Sequence, residues 1–140
     1  MLRLQLVTNE FGYQLRYRYA QTNAPTLATV DDWFRFTKVV AINNAVDDCD
    51  PVQLAACTFS ENWPSLDFAM STDSSGSSIE TVTNNMGEET VFRFDTSDRL
   101  SGIKRPVDVA QANGYSVTYA YETSGDRVVS VSRQGSYPRP

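Results

Sequence analysis

Apolar and polar residues alternate along most of this chain, and the alternation has a period of two, that of half-buried strands. Leu2, Leu4 and Leu6 predict a first strand, residues 9–12 a turn, and residues 14–19, with aromatics at alternate positions, a returning strand. Residues 21–30 lack periodicity and read as a loop, while Trp33 to Ile42 reads as one long strand. Residues 43–60 form a second loop holding both cysteines, in which residues 53–57 could make one helical turn. Leu66, Phe68 and Met70 resume the alternation, and the Ser/Gly-rich residues 71–78 suggest a mobile tip. Residues 81–84 and 90–94 make a hairpin across 85–88, and residues 95–98 turn into a strand over 100–104. A loop over 106–114 precedes a last hairpin, 115–121 with 128–133, across residues 122–126. No apolar pattern of helical period lasts three turns. The expected class is all-β, built of antiparallel hairpins with little or no helix.

A repeat underlies this alternation. Val7, Thr8, Asn9, Gly12, Tyr17, Arg18 and Tyr19 recur 75 residues later as Val82, Thr83, Asn84, Gly87, Phe92, Arg93 and Phe94. The second copy is followed by Arg99-Leu100-x-x-Ile103, then by Arg127-Val128-x-x-Val131, and the first copy by Lys38-Val39-x-x-Ile42. Self-similarity at fixed spacing marks repeat architectures, whose units bury their apolar faces against neighbours. Two alternate aromatics give one strand a wide apolar face, and Asp95 can fold back on the N–H groups of its turn. Arg99 can then pair with Asp95 from the return strand. Leu100 and Ile103 share the packing side only if a bulge shifts the alternation by one.

Composition narrows the function. The 140 residues predict one domain, with repeat-like units at about 2–42 and 79–135 and loop insertions at 20–32 and 43–62. A net charge of −5, with ten arginines scattered among strands, argues against a nucleic-acid partner. No apolar run approaches the roughly 20 residues of a membrane span, so membrane insertion is not expected. The N-terminus alternates like a strand rather than showing the long apolar stretch of a signal peptide, as if the chain began inside a structural element. Histidine is absent, which removes the usual general base and the commonest metal ligand. Lys38 and Lys104 lie in or beside strands and make poor partners for a nucleophilic serine.

The segments Phe92-x-Phe94-Asp95-x-x-x-Arg99-Leu100-x-x-Ile103 and Tyr119-x-Tyr121-Glu122-x-x-Gly125-x-Arg127-Val128-x-x-Val131 resemble the tyrosine-aspartate (YD) repeats of the rearrangement-hotspot (Rhs) family. The resemblance covers residues 79–135 and continues in degenerate form over 4–19 and 36–42. It implies a bacterial, toxin-associated or cell-surface scaffold, in which many hairpins wind into a shell around a toxic polypeptide. Glu122 replaces the motif's Asp, one extra residue precedes Arg127, and the first copy has a long loop for its turn.

Other candidates are weighed beside this reading. Cys49 and Cys57 sit in one irregular insertion and are expected to form a disulfide, worth about 2.5 kcal/mol by loop entropy; reduced thiols are the alternative. Asp47, Asp48 and Asp50 could line a calcium loop but lack the distal glutamate, so a solvated acidic loop is favoured and no metal is expected. Glu88, Glu89 and Asp95 are the carboxylates a small hydrolase would need. Tyr13, Tyr17, Tyr19, Trp33, Phe34 and Phe36 could stack on sugars, and adjacent Trp33 and Phe34 would place rings on both faces of a strand. The expectation is a non-enzymatic structural module without cofactor. It would self-associate as a homodimer through sheet edges near residues 2–7 and 128–133, with a carbohydrate- or cell-surface-binding module as the rival and a carboxylate-dependent hydrolase the weaker alternative.

Overall fold

The computed structural model describes residues 2–47, 50, 57–106 and 114–133. The expected helical turn at 53–57, the loop at 106–114 and Cys49 fall wholly or largely outside the described residues. The described chain is nearly all-β, as the alternation predicts. Its strands are β1 (Leu6–Thr8), β2 (Tyr13–Tyr19), β3 (Phe36–Asn43), β4 (Ser65–Thr72), β5 (Ser78–Asn84), β6 (Glu89–Phe94), β7 (Leu100–Lys104), β8 (Val117–Tyr121) and β9 (Val128–Arg133), with one short helix, α1 (Val30–Phe34). Among the described residues no helix is long and apolar enough to cross a membrane.

Contacts divide the chain into two compact units. The first holds residues 1–68 and 84–86, and the second residues 69–83 and 87–140. In the first unit the order is β1, β2, β3 and the first half of β4, all antiparallel. Its core is small: Ile42 is 1% exposed and Val40 4%, with Cys57, Phe59 and Trp63 packed against them. The face of β2 turned to this core is polar. Gln14 and Arg16 are buried, whereas Tyr13 and Leu15 on the opposite face are exposed. The reason lies in the 57–64 segment, which packs on that side and supplies an acceptor there, Arg16 donating to Cys57 Sγ. Burial without a partner would be unfavourable.

Two expected strands are corrected here. Trp33 and Phe34 belong to α1, and β3 starts only at Phe36. The acidic Asp31 and Asp32 favour a helical first turn, and Arg35 closes back on Asp32 at 2.7 Å. The two rings therefore stand roughly 100° apart on a helix rather than on opposite faces of a strand. The N-terminal strand is shorter than Leu2 to Leu6 implies: β1 begins at Leu6, and Leu2 and Leu4 are exposed.

In the second unit the order runs from the second half of β4 through β5, β6, β7 and β8 to β9. Strands β5 and β6 are half-buried, while residues 69–72 of β4 and all of β9 are exposed. No large apolar side chain is fully buried among its described residues. The Ser/Gly-rich stretch expected as a mobile tip is a closed turn, because β4 runs to Thr72 and β5 resumes at Ser78. Asp73 Oδ1 accepts from the backbone N–H groups of Ser75 at 2.8 Å and Ser77 at 3.1 Å.

Candidate functional site

The feature shared by both units is a hairpin with a bulge in a fixed place. Phe92 lies opposite Ile103 and Phe94 opposite Leu100, with a register shift between Arg93 and Phe94. Tyr119 lies opposite Val131 and Tyr121 opposite Val128, with the shift between Ala120 and Tyr121. Tyr17 lies opposite Val39 and Tyr19 opposite Phe36, with the shift between Arg18 and Tyr19. One extra residue on each return strand (Thr37, Ser101, Val129) produces the shift, the geometry of a β-bulge. It explains why the motif spaces its apolar residues by three. Without it, Leu100 and Ile103 would face opposite sides.

This register corrects the first copy. Its return segment is Arg35-Phe36-x-x-Val39, three residues earlier than Lys38-Val39-x-x-Ile42. The backbone agrees, since the residue after the second aromatic donates to the arginine carbonyl in all three hairpins: Ala20 to Arg35 at 3.0 Å, Asp95 to Arg99 at 2.9 Å, Glu122 to Arg127 at 3.0 Å. Sequence spacing missed Arg35 because α1 occupies the turn. With Ala20 where the others carry an acid, Arg35 takes Asp32 instead.

The turns are acid-closed. Asp95 Oδ1 accepts from the N–H groups of Ser97 at 2.9 Å and Arg99 at 3.1 Å, and Oδ2 accepts Arg99 Nε at 3.0 Å. Arg99, first, and then those backbone donors hold the Asp95 carboxyl below the usual carboxylate range, and Asp95 in turn raises Arg99. Glu122 receives Arg127 Nε at 3.0 Å in the same way. Asn9 accepts from the N–H groups of Phe11 and Tyr13, both at 3.0 Å. Asn84 likewise accepts from the Met86 N–H at 3.0 Å, and the residues three after Asn9, Asp73, Asn84 and Asp95 have positive φ: Gly12, Gly76, Gly87 and Asp98. An Asn or Asp followed at the third place by Gly is thus the local signal for three of these turns, and in the fourth Asp98 takes the left-handed position.

Arginine also ties one motif to the next. Arg99 lies 4.6 Å from the Tyr121 ring centroid and donates to Gly125 O at 2.7 Å, while Tyr121 OH donates to Leu100 O at 2.8 Å. In the first unit Arg3 lies 4.3 Å from the Tyr19 ring and donates to Gln21 O, and Tyr19 OH donates to Leu4 O. Arg3-Leu4-x-x-Val7 is therefore a return segment that spacing also left unassigned. Leu6 opposite Arg16 and Val7 opposite Leu15 repeat the register of Gly102 opposite Thr118 and Ile103 opposite Val117. Arg3 also stacks on Trp33, 3.8 Å from its ring. Burial pushes the Tyr19 hydroxyl up.

The aromatics of the first unit form a row. Phe36 lies 5.5 Å from Tyr17, 5.2 Å from Tyr19 and 6.3 Å from Phe68. Tyr13 and Phe36 are exposed. Elsewhere in that unit Asp47 is buried, contrary to a solvated acidic loop. It accepts Ser60 Oγ at 2.6 Å and Trp63 Nε1 at 2.5 Å, and these bonds lower its pKa to about 2. Asp48 lies outside the described residues. Cys57 is disulfide-bonded, and Cys49, its expected partner, also lies outside them. Of the imagined hydrolytic carboxylates, Asp95 is committed to Arg99 and its turn. Among the described residues no three His, Cys, Asp or Glu side chains converge. Comparison with protein-family models, curated proteins and solved structures finds no match.

Proposed function

We propose that this chain is a non-catalytic structural module, a length of Rhs/YD-like wall that encloses or displays another polypeptide. The observation that carries the reading is the bulged aromatic hairpin, repeated three times with the same register. The charged groups of its turns are spent on one another: Asp95 on Arg99, Glu122 on Arg127, Asp73 on Arg93. Such turns stiffen a scaffold and commit these three carboxylates to guanidinium partners. The test is co-expression with the polypeptide encoded beside it, followed by limited proteolysis. Protection of that polypeptide supports the reading; turnover of a glycoside, ester or peptide panel by the purified chain overturns it.

The ring row favours a second reading, a saccharide-binding face on the first unit. Under it, a glycan array gives a hit that Phe36→Ala abolishes. Under the scaffold reading the same rings pack the hairpins and the array stays blank.

A further inference from the structure

Arg99 and Arg127 each place Nε and Nη2 on a carboxylate, with Nε at 3.0 Å and Nη2 at 2.9 or 3.0 Å. Arg3 copies Arg99 in its ring stacking and in its Nη1 bond to a carbonyl of the following turn. Its Nε, however, is buried and has no hydrogen-bond partner among the described residues. An unpartnered buried donor of this kind is unfavourable, and a charged one more so. The cleft beside it, about 510 Å³, is lined by Arg3, Arg16 and Arg18 and by no described carboxylate.

Among the described residues β1 has a strand neighbour on one side only, β2. In the equivalent β7, Leu100 and Ile103 are half-buried and lie opposite Phe94 and Phe92 of β6. Leu4, at 54%, and Val7, at 44%, are exposed.

We infer that the edge of β1 not paired with β2 accepts an antiparallel peptide strand reading aromatic-x-aromatic-Asp or -Glu, whose carboxylate closes on Arg3. The second aromatic lies opposite Leu4, the first opposite Val7, and Gln5 becomes the bulged residue. Main-chain hydrogen bonds along the edge supply affinity and the ring and acid positions supply specificity, the mode of strand addition. A second copy of this chain is a poor donor, because its own two such segments lie in β6 and β8, each paired on both sides. The inference rests on the repeat reading of the hairpins and names the partner's chemistry.

The probe is a labelled peptide with the sequence of residues 88–95, titrated into the full chain and followed by fluorescence anisotropy. Saturable binding is expected, with new exchange protection of the amides of β1. Replacing the peptide's acid (Asp95→Asn) should weaken binding about tenfold, the scale of a lost charge-assisted bond. Arg3→Gln in the protein should do the same, and Arg3→Lys should restore little, since lysine lacks the planar fork. If Arg3→Gln unfolds the chain, the peptide pair against the unaltered chain decides. Absence of binding, equal affinity for acid and amide peptides, or protection at β9 instead of β1 overturns the inference. So does a homodimer lost on Arg3→Gln in a chain that ignores the peptide, which would assign the edge to a second copy. A saccharide hit on the ring row would sink the scaffold reading and leave the peptide result untouched.

Discussion

Arg93 reaches from β6 to Asp73, 20 residues earlier, with Nε 3.0 Å and Nη2 2.9 Å from Oδ2. Asp95 and Arg99 make the same contact within one turn. The turn at Asp73 carries Ser77 where its counterpart carries Arg99, so the guanidinium is supplied by another strand. The acid–guanidinium closure is kept while its source changes.

These closures should make stability fall in acid. Ser75 first, then Arg93 and the turn N–H groups, hold the Asp73 carboxyl below its ordinary range; Asp95 is likewise depressed, and Asp47 stands at about 2. A depressed carboxylate contributes stability that is fully present above its unfolded pKa, about 4, and is lost as pH falls through its folded value. The urea midpoint should be flat from about pH 7 to 5 and drop between about 4 and 2. Asp47→Asn with Asp73→Asn should lower the midpoint at pH 7 and flatten the acid decline. An unchanged acid slope in that double variant would contradict this assignment.

The left-handed turn positions should be separable from their surroundings at Gly87. Its φ is +80°, and a Cβ there meets nothing within 4 Å. Gly87→Ala should therefore cost only backbone strain, about 1–2 kcal/mol by equilibrium denaturation. A neutral result would mean that the turn relaxes out of that conformation.

Gly102 should be intolerant for a different reason. Its φ is ordinary, but a Cβ would stand 2.8 Å from Cδ1 and Cγ of Tyr115. Gly102→Ala should destabilise by about 1–3 kcal/mol through overpacking. Adding Tyr115→Ala should restore part of that loss, and a double-mutant cycle without coupling would show that the ring yields freely.

Burial in the first unit should be concentrated at one point. Ile42 is 1% exposed, so Ile42→Ala should cost about 2–5 kcal/mol. Leu2, 95% exposed, should tolerate serine with no measurable change. Thermal denaturation of the two variants side by side checks both.

The cysteine pair is best settled by mass. Peptide mapping without reductant should join Cys57 to Cys49, and recovery of both as alkylated thiols from an oxidising medium would refute the pairing.

Alternation of period two, the Asn/Asp-x-x-Gly turns and the aromatic-x-aromatic pairs were legible in the residues themselves, because each is a local steric or hydrogen-bonding preference. They determined a nearly all-β chain of antiparallel hairpins, and they placed Phe92, Phe94, Asp95, Arg99 and Leu100 in one hairpin. Tertiary structure decided which residues face each other and which side is covered. The bulge could be inferred only as a condition, since pairing register is set between strands. Arg35 was hidden because a helix of five residues, too short to announce itself by periodicity, separates it from Tyr19. Gln14 and Arg16 are buried against their polarity because the returning 57–64 segment lies over that side of β2, a long-range placement that no local pattern encodes. Arg3 joined the motif only when its guanidinium was found over Tyr19, since a stacking partner 16 residues away is chosen by the fold.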